Sequence, residues 1–339
     1  MAIQMARGRH ASRCDGSGSN PVARRAPSFA NRLLSWYDEH KRDLPWRNDR
    51  DPYRVWIAEI MLQQTRVAAV LDHYQRFLQR FPTLEKLAAA RQASVLSAWS
   101  GLGYYRRASM LHAAARRVVK EHRGRIPESS KGLLGLPGIG RYTAAAIASI
   151  AYDEPAAVVD GNVERVLSRV AGRRLAGAET WQAADALLDA ARPGDFNQAM
   201  MELGATVCLP RQPRCLLCPV APLCETRGEL KATRTTPRQQ KRQVVLGLAR
   251  RNGAVFLVQR ERGLTLMPGM WELPECSAEA KVKLLLTLRH TITVTDYLVS
   301  VVEMVNFDQG RGKWVAVSQL RSLPLTGLAR KILRRVEML

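Results

Sequence analysis

The chain has 339 residues, 46% of them hydrophobic, enough to bury a substantial core, and is expected to form two domains. Its 52 basic and 30 acidic residues give a formal net charge of +22, which favours a polyanion partner; nucleic acid leads over membrane headgroups because no basic amphipathic membrane helix stands out. No apolar run approaches the ~18 residues of a membrane span, and six cysteines in so long a chain argue against a disulfide framework and for a reducing, intracellular setting.

Residues 1–28 place Arg7, Arg9, Arg13, Arg24 and Arg25 among Gly, Ser and Pro, without the apolar segment of a secretory signal, and read as a disordered basic arm. Residues 29–225 are helical in pattern. Apolar residues recur at three- and four-residue steps over 55–81, and 102–119 and 144–151 are rich in Ala and Leu. Short breakers at Phe81-Pro82-Thr83, 124–127, 137–140 and Pro193-Gly194 divide these runs, as in an all-α domain.

Glu59 interrupts the apolar run Val55-Trp56-Ile57-Ala58-Glu59-Ile60-Met61-Leu62. It is either a surface acid at the polar edge of a helix or, facing a pocket, a desolvated carboxyl usable as a general acid. Leu136-Pro137-Gly138-Ile139-Gly140 lies between helical segments; it is a tight turn, or a place where Gly138 and Gly140 bring backbone N–H groups close to a phosphate. Asp160, in Val158-Val159-Asp160-Gly161-Asn162-Val163, precedes a helix and suits an N-cap. Its alternative role is a second, ionised carboxylate opposite a protonated Glu59, the pairing that glycosidic-bond cleavage requires.

Four cysteines close this region: Cys208, Cys215, Cys218 and Cys224, spaced Cys-x6-Cys-x2-Cys-x5-Cys within a proline-rich loop. Such a spacing points to thiolates converging on a soft metal centre, and leaves zinc and iron–sulfur both open. Residues 226–242 follow with six basic residues against one acid and read as a linker. Beyond it, 243–339 is α+β in texture: strand-like runs at 243–249 and 254–259 around Arg251-Asn252-Gly253, β-branched alternation over 291–305, and a closing helix at 328–336. Cys14 and Cys276 belong to no motif.

Several motifs occur together in order: Leu44-Pro45-Trp46-Arg47, the run from Trp56 to Thr65, Gly101-Leu102-Gly103-Tyr104-Tyr105, 136–141, 159–163, 196–201 and the cysteine run. With them the chain resembles the adenine DNA glycosylases of the MutY type, within the helix-hairpin-helix superfamily. The resemblance is dense over 29–224 and looser beyond. It implies a mainly α glycosylase domain with a [4Fe–4S] cluster on Cys208, Cys215, Cys218 and Cys224, plus a smaller α+β Nudix-like domain at 243–339.

The same resemblance implies the chemistry. A base is flipped out of the duplex, as chemistry on a stacked base demands. Glu59 protonates N7 of the adenine, Asp160 stabilises the oxocarbenium-like sugar, and Asn162 positions this group. Arg42, Trp46, Arg47, Leu62 and Gln198 match positions that line the adenine pocket, and Gln64 and Tyr104 match positions that wedge the duplex open. Tyr142 stands where the related endonuclease III type carries a lysine able to form a Schiff base, so a monofunctional enzyme is expected.

The implied substrate is double-stranded DNA with adenine opposite 8-oxoguanine or guanine. A monomer is expected, with no membrane, in the cytoplasm or nucleoid if the source is bacterial. Where the family often carries a Phe-Ser-His loop for 8-oxoguanine, this chain reads Ile292-Thr293-Val294, so that only Thr293 keeps a hydroxyl. Two alternatives stay open: a related glycosylase of other mismatch or oxidised-base specificity, and a catalytically silent iron–sulfur DNA-binding protein.

Overall fold

The computed structural model describes residues 26–230, 240–261, 263–264, 266–276, 283–292, 294–304 and 312–339. The first helix, α1 (Ala26–His40), starts three residues inside the stretch assigned to the basic arm. Pro27 is tolerated there because the first helical turn has no intrahelical use for its missing N–H. Phe29, Leu33, Leu34 and Tyr37 give α1 its buried stripe. Residues 1–25, and so Cys14, lie outside the described residues.

Ten further helices follow: α2 (Pro52–Leu62), α3 (Val67–Arg80), α4 (Leu84–Ala89), α5 (Gln92–Ala98), α6 (Arg106–Glu121), α7 (Ser130–Leu133), α8 (Arg141–Tyr152), α9 (Gly161–Val170), α10 (Ala178–Leu187) and α11 (Pro193–Thr206). The apolar run over 55–81 is therefore two helices, not one. The chain leaves α2 through Gln64, whose φ of +55° is left-handed and ends helical pairing. Val70, Tyr74 and Phe77 then resume the apolar spacing on α3, so periodicity alone does not mark the break.

At the other end of α2, the Asp51 side chain accepts the Arg54 N–H at 2.8 Å and Pro52 occupies the first turn, which fixes where the helix begins. The turn from α7 to α8 needs Gly138, whose φ is +76° and whose missing β-carbon would lie 2.6 Å from the Met110 side chain. Gly140, the residue before α8, instead faces open space.

After the cysteine loop the chain forms strands β1 (Gln240–Arg251), β2 (Ala254–Gln259), β3 (Trp271–Glu272), β4 (Leu284–Ile292), β5 (Thr295–Met304) and β6 (Gly312–Ala316), then helix α12 (Gly327–Arg335). Their order is β3-β2-β1-β5-β4, with β6 paired to β2. The β1–β2 turn has positive φ at both Asn252 and Gly253, the pair that matches hairpin twist. β1 takes the last three residues assigned to the linker, because Gln240–Ala249 pairs in parallel with Thr295–Met304.

β4 was not legible as a strand of its own. It pairs antiparallel with β5 across residues 293–294, so the expected recognition loop is a hairpin tip; Thr293 itself lies outside the described residues. Leu248, Val255, Leu257, Val299, Val301 and Ile332 fill the core of this α+β region. No helix among the described residues is long and apolar enough to cross a membrane.

The described residues divide into two compact units. One comprises 26–41, 159–190 and 198–230; the other comprises 42–158, 191–197 and the described part of 240–339.

Candidate active site

In the larger unit, α2 and α8 present a buried acid to a phenol. Glu59 is only 5% exposed among Val55, Trp56, Ile60 and Met61, and the Tyr142 hydroxyl donates to its Oε2 at 2.8 Å. The first turn of α8 thus reaches the last turn of α2. A second bond reinforces the pairing, from Gln63 Nε2 to Thr143 Oγ1 at 3.0 Å. An acid set in an apolar helix face is thus fixed at one oxygen by a phenol donor.

Other expected residues surround this pair in sequence and differ in setting. Trp46 is buried edge-on to Tyr74, ring centroids 5.4 Å apart. Arg47 Nη1 donates to the Arg42 carbonyl at 3.0 Å, which ties the two arginines into one short segment. Leu62 is half-buried at the end of α2. Gln64 and Tyr104 are exposed, and both have left-handed backbones, with φ of +55° and +47°. Gly138 serves packing against α6, while Gly140 leaves the start of α8 open to an approaching group.

The smaller unit holds Asp160 as the N-cap of α9. Its Oδ1 accepts the backbone N–H groups of Asn162 and Val163 at 2.8 and 2.7 Å, and its Oδ2 accepts Asn162 Nδ2–H at 3.0 Å. The capping role read from the sequence is thus realised, and three donors fix the carboxylate in one orientation. α11 lies close against this corner, because a β-carbon on Gly204 would come within 2.6 Å of the Asn162 side chain. Gln198 sits half-buried on α11.

From there α9 runs to the cysteine loop. Arg165 Nη2 donates to Asn162 Oδ1 at 2.9 Å and to the Gly204 carbonyl at 2.7 Å, while its Nε donates to the Cys208 carbonyl at 2.8 Å. One turn later Arg169, 4% exposed, donates to Cys208 Sγ at 3.2 Å and to the carbonyls of Leu209 and Pro210. Neither arginine was singled out from the sequence. Their spacing of four, on the helix that Asp160 opens, was the available signal.

Cys208, Cys215, Cys218 and Cys224 together line one cavity with Arg169 and Val207, and none of the four is in a disulfide. Burial pushes the Cys218 thiol up to about 11; burial, then the neighbouring Cys224 and Cys208, raise Cys215. Four soft donors sharing one pocket suit a bound cationic centre, and Arg169 lies where it can offset thiolate charge at Cys208. Among the described residues no three His, Cys, Asp or Glu side chains form a site for a single metal ion.

Residues 57–184 match the HhH-GPD superfamily of base excision DNA repair proteins. A solved thermostable thymine-DNA glycosylase superposes with a TM-score of 0.58 and 31% identity, covering 61% of this chain and 99% of that one. The chain belongs to this superfamily.

Within it, the sequence is similar to adenine DNA glycosylases of the MutY type. The mouse enzyme is 52% identical over 228 residues, 60% of this chain and 44% of its own length. That of Buchnera aphidicola from Schizaphis graminum is 35% identical over 225 residues, 64% of this chain and 65% of its own. The match thus spans less than half of the mouse relative's length.

Proposed function

We propose that this chain is a monofunctional adenine DNA glycosylase, hydrolysing the N-glycosidic bond of adenine opposite 8-oxoguanine or guanine in double-stranded DNA. The observation that carries the reading is the hydrogen bond between Tyr142 and the buried Glu59. Glu59 gives a proton to N7 of the flipped adenine, and the C1′–N9 bond breaks with its electron pair leaving on the base. The Tyr142 bond strengthens as negative charge develops on Glu59. In this reading Asp160, its orientation fixed by Asn162 and by the start of α9, offsets the positive charge on the sugar, and water adds at C1′ with its proton passing to solvent, from which Glu59 is reprotonated.

Tyrosine at position 142 has no amine to form a Schiff base, which supports hydrolysis without strand cleavage by β-elimination. Arg42, Trp46, Arg47, Leu62 and Gln198 line the base pocket in this reading, and Gln64 and Tyr104 enter the duplex. Cys208, Cys215, Cys218 and Cys224 would hold a [4Fe–4S] cluster. Bound there, it would act as a structural and electrostatic centre for the basic loop containing Arg211 and Arg214. The four cysteines lining one cavity, with Arg169 bonded to Cys208, support a shared metal centre there.

The Nudix-like C-terminal region reads the base opposite the adenine in this account. Its candidate contact is the β4–β5 tip, where Val294 is exposed beside Thr293. Thymine specificity is the second reading, favoured by the structural similarity to a thymine-DNA glycosylase. A single-turnover assay over duplexes with A:8-oxoG, A:G, T:G and thymine glycol separates the two. Release of free adenine, without a borohydride-trapped adduct, is expected; excision of thymine or abundant trapping overturns the proposal.

A further inference from the structure

We infer that Arg107 is the positioning residue of the duplex wedge, clamping together the two turns that carry Gln64 and Tyr104. This rests on the reading above that these two side chains enter the duplex. Arg107 sits in the first turn of α6, and its guanidinium is half-buried between two separate turns. Nη1 donates to the carbonyls of Ile60 and Met61 at 2.8 and 3.0 Å, and also to that of Gln63. Nη2 donates to Thr65 Oγ1 at 3.1 Å and to the carbonyls of Leu102 and Gly103, both at 3.3 Å.

The first set closes the end of α2, where the last carbonyls have no partner within the helix and a cation is favoured. Of the second set, Thr65 extends the grip on the turn after α2, while Leu102 and Gly103 belong to the turn that precedes α6. Gln64 and Tyr104 each lie next to a gripped carbonyl, and each adopts the left-handed backbone that residues with a β-carbon keep only where their surroundings hold them.

Aromatic rings complete the clamp. The Arg107 guanidinium carbon lies 5.5 Å from the Trp99 ring centroid and 5.4 Å from that of Tyr104, and Trp99 Nε1 donates to the Gly103 carbonyl at 3.2 Å. Burial lowers Arg107 to about 10, so it stays charged at neutral pH. A rigid planar fork can span both turns, whereas the single ammonium of lysine cannot satisfy both sets of acceptors. An arginine that merely stabilised the fold would have no reason to concentrate its donors on the two turns bearing exposed side chains. Glu59 directly precedes Ile60, so the clamp also steadies the helix end that bears the proposed acid.

The test uses Arg107→Lys and Arg107→Met in the full chain, with two readouts. By hydrogen exchange, segments 60–66 and 100–106 should both lose protection, by about tenfold or more, while α8 and α12 stay protected. In single-turnover assays, excision from an A:G duplex should fall about 10- to 100-fold. Excision of adenine opposite an abasic analogue, where the base is already unpaired, should change less than about threefold.

Exchange that rises everywhere, in only one segment or in neither overturns the clamp, as does an equal loss on both substrates. If Arg107→Met does not fold, Arg107→Lys carries both readouts. If the wild-type chain excises no adenine, the proposed function has failed, and hydrogen exchange alone then decides the clamp.

Discussion

Replacing Tyr142 with phenylalanine removes the donor to Glu59 Oε2 while the ring keeps its volume. That bond reaches a carboxyl only 5% exposed, where water replaces it poorly. A hydrogen bond to a charged group contributes about 1.5–3 kcal/mol. At about 1.4 kcal/mol per tenfold in rate, the single-turnover excision rate should fall about 10- to 150-fold. The effect belongs in the rate and not in DNA affinity, because the bond strengthens as Glu59 releases its proton. The assay is single-turnover release of adenine, with the Kd for the duplex measured alongside. A rate within about twofold of wild type would refute the reasoning, and so would a loss that appears wholly as weaker binding.

The same site yields further outcomes. Tyr142→Lys should produce a borohydride-trapped adduct where the unaltered chain is expected to give none, read by a shifted band on a denaturing gel. Asp160→Asn keeps an N-cap acceptor and should change stability by less than about 1 kcal/mol, while excision falls at least about 100-fold; melting curves and single-turnover rates check both. Cys218→Ser should lower iron and sulfide content per chain and weaken duplex binding, checked by metal analysis and a binding titration. Burial, and secondly Arg116, lowers His112; burial, and secondly Lys331, lowers His290. Both therefore bind protons more readily unfolded than folded. Stability should be fully present above about pH 6.5 and decline as the pH falls below it, seen as a falling denaturation midpoint between about pH 7 and 5.

Much of this architecture could be read directly from the chain. Helical periodicity, the Pro-Gly breakers and the Asn-Gly turn signal their elements by local chemistry, and α8, α9 and the β1–β2 hairpin appear close to where the pattern puts them. The break between α2 and α3 was not legible, because its cause is remote: Arg107, far along the sequence, holds the Gln63 carbonyl. β4 was missed for a related reason, since its pairing partner β5 and not its own alternation makes it a strand. In the site, Asp160 is legible as a cap because capping is local. The Tyr142–Glu59 contact joins residues on two helices, and no spacing in the sequence foretells it. Arg165 and Arg169 offered only their spacing of four, since an arginine on a helix is ordinarily a solvated charge, and the fold is what shows Arg165 half-buried and Arg169 buried, both bonded to Cys208.

The central claim is that Glu59 supplies the proton that breaks the glycosidic bond. Glu59→Gln keeps the shape of the side chain and an acceptor for the Tyr142 hydroxyl but cannot release a proton to the base. Measured on an A:8-oxoG duplex under single-turnover conditions, the variant should bind within about threefold of wild type and excise adenine at least about 1,000-fold more slowly. Excision at the wild-type rate by a variant that binds normally would contradict the account.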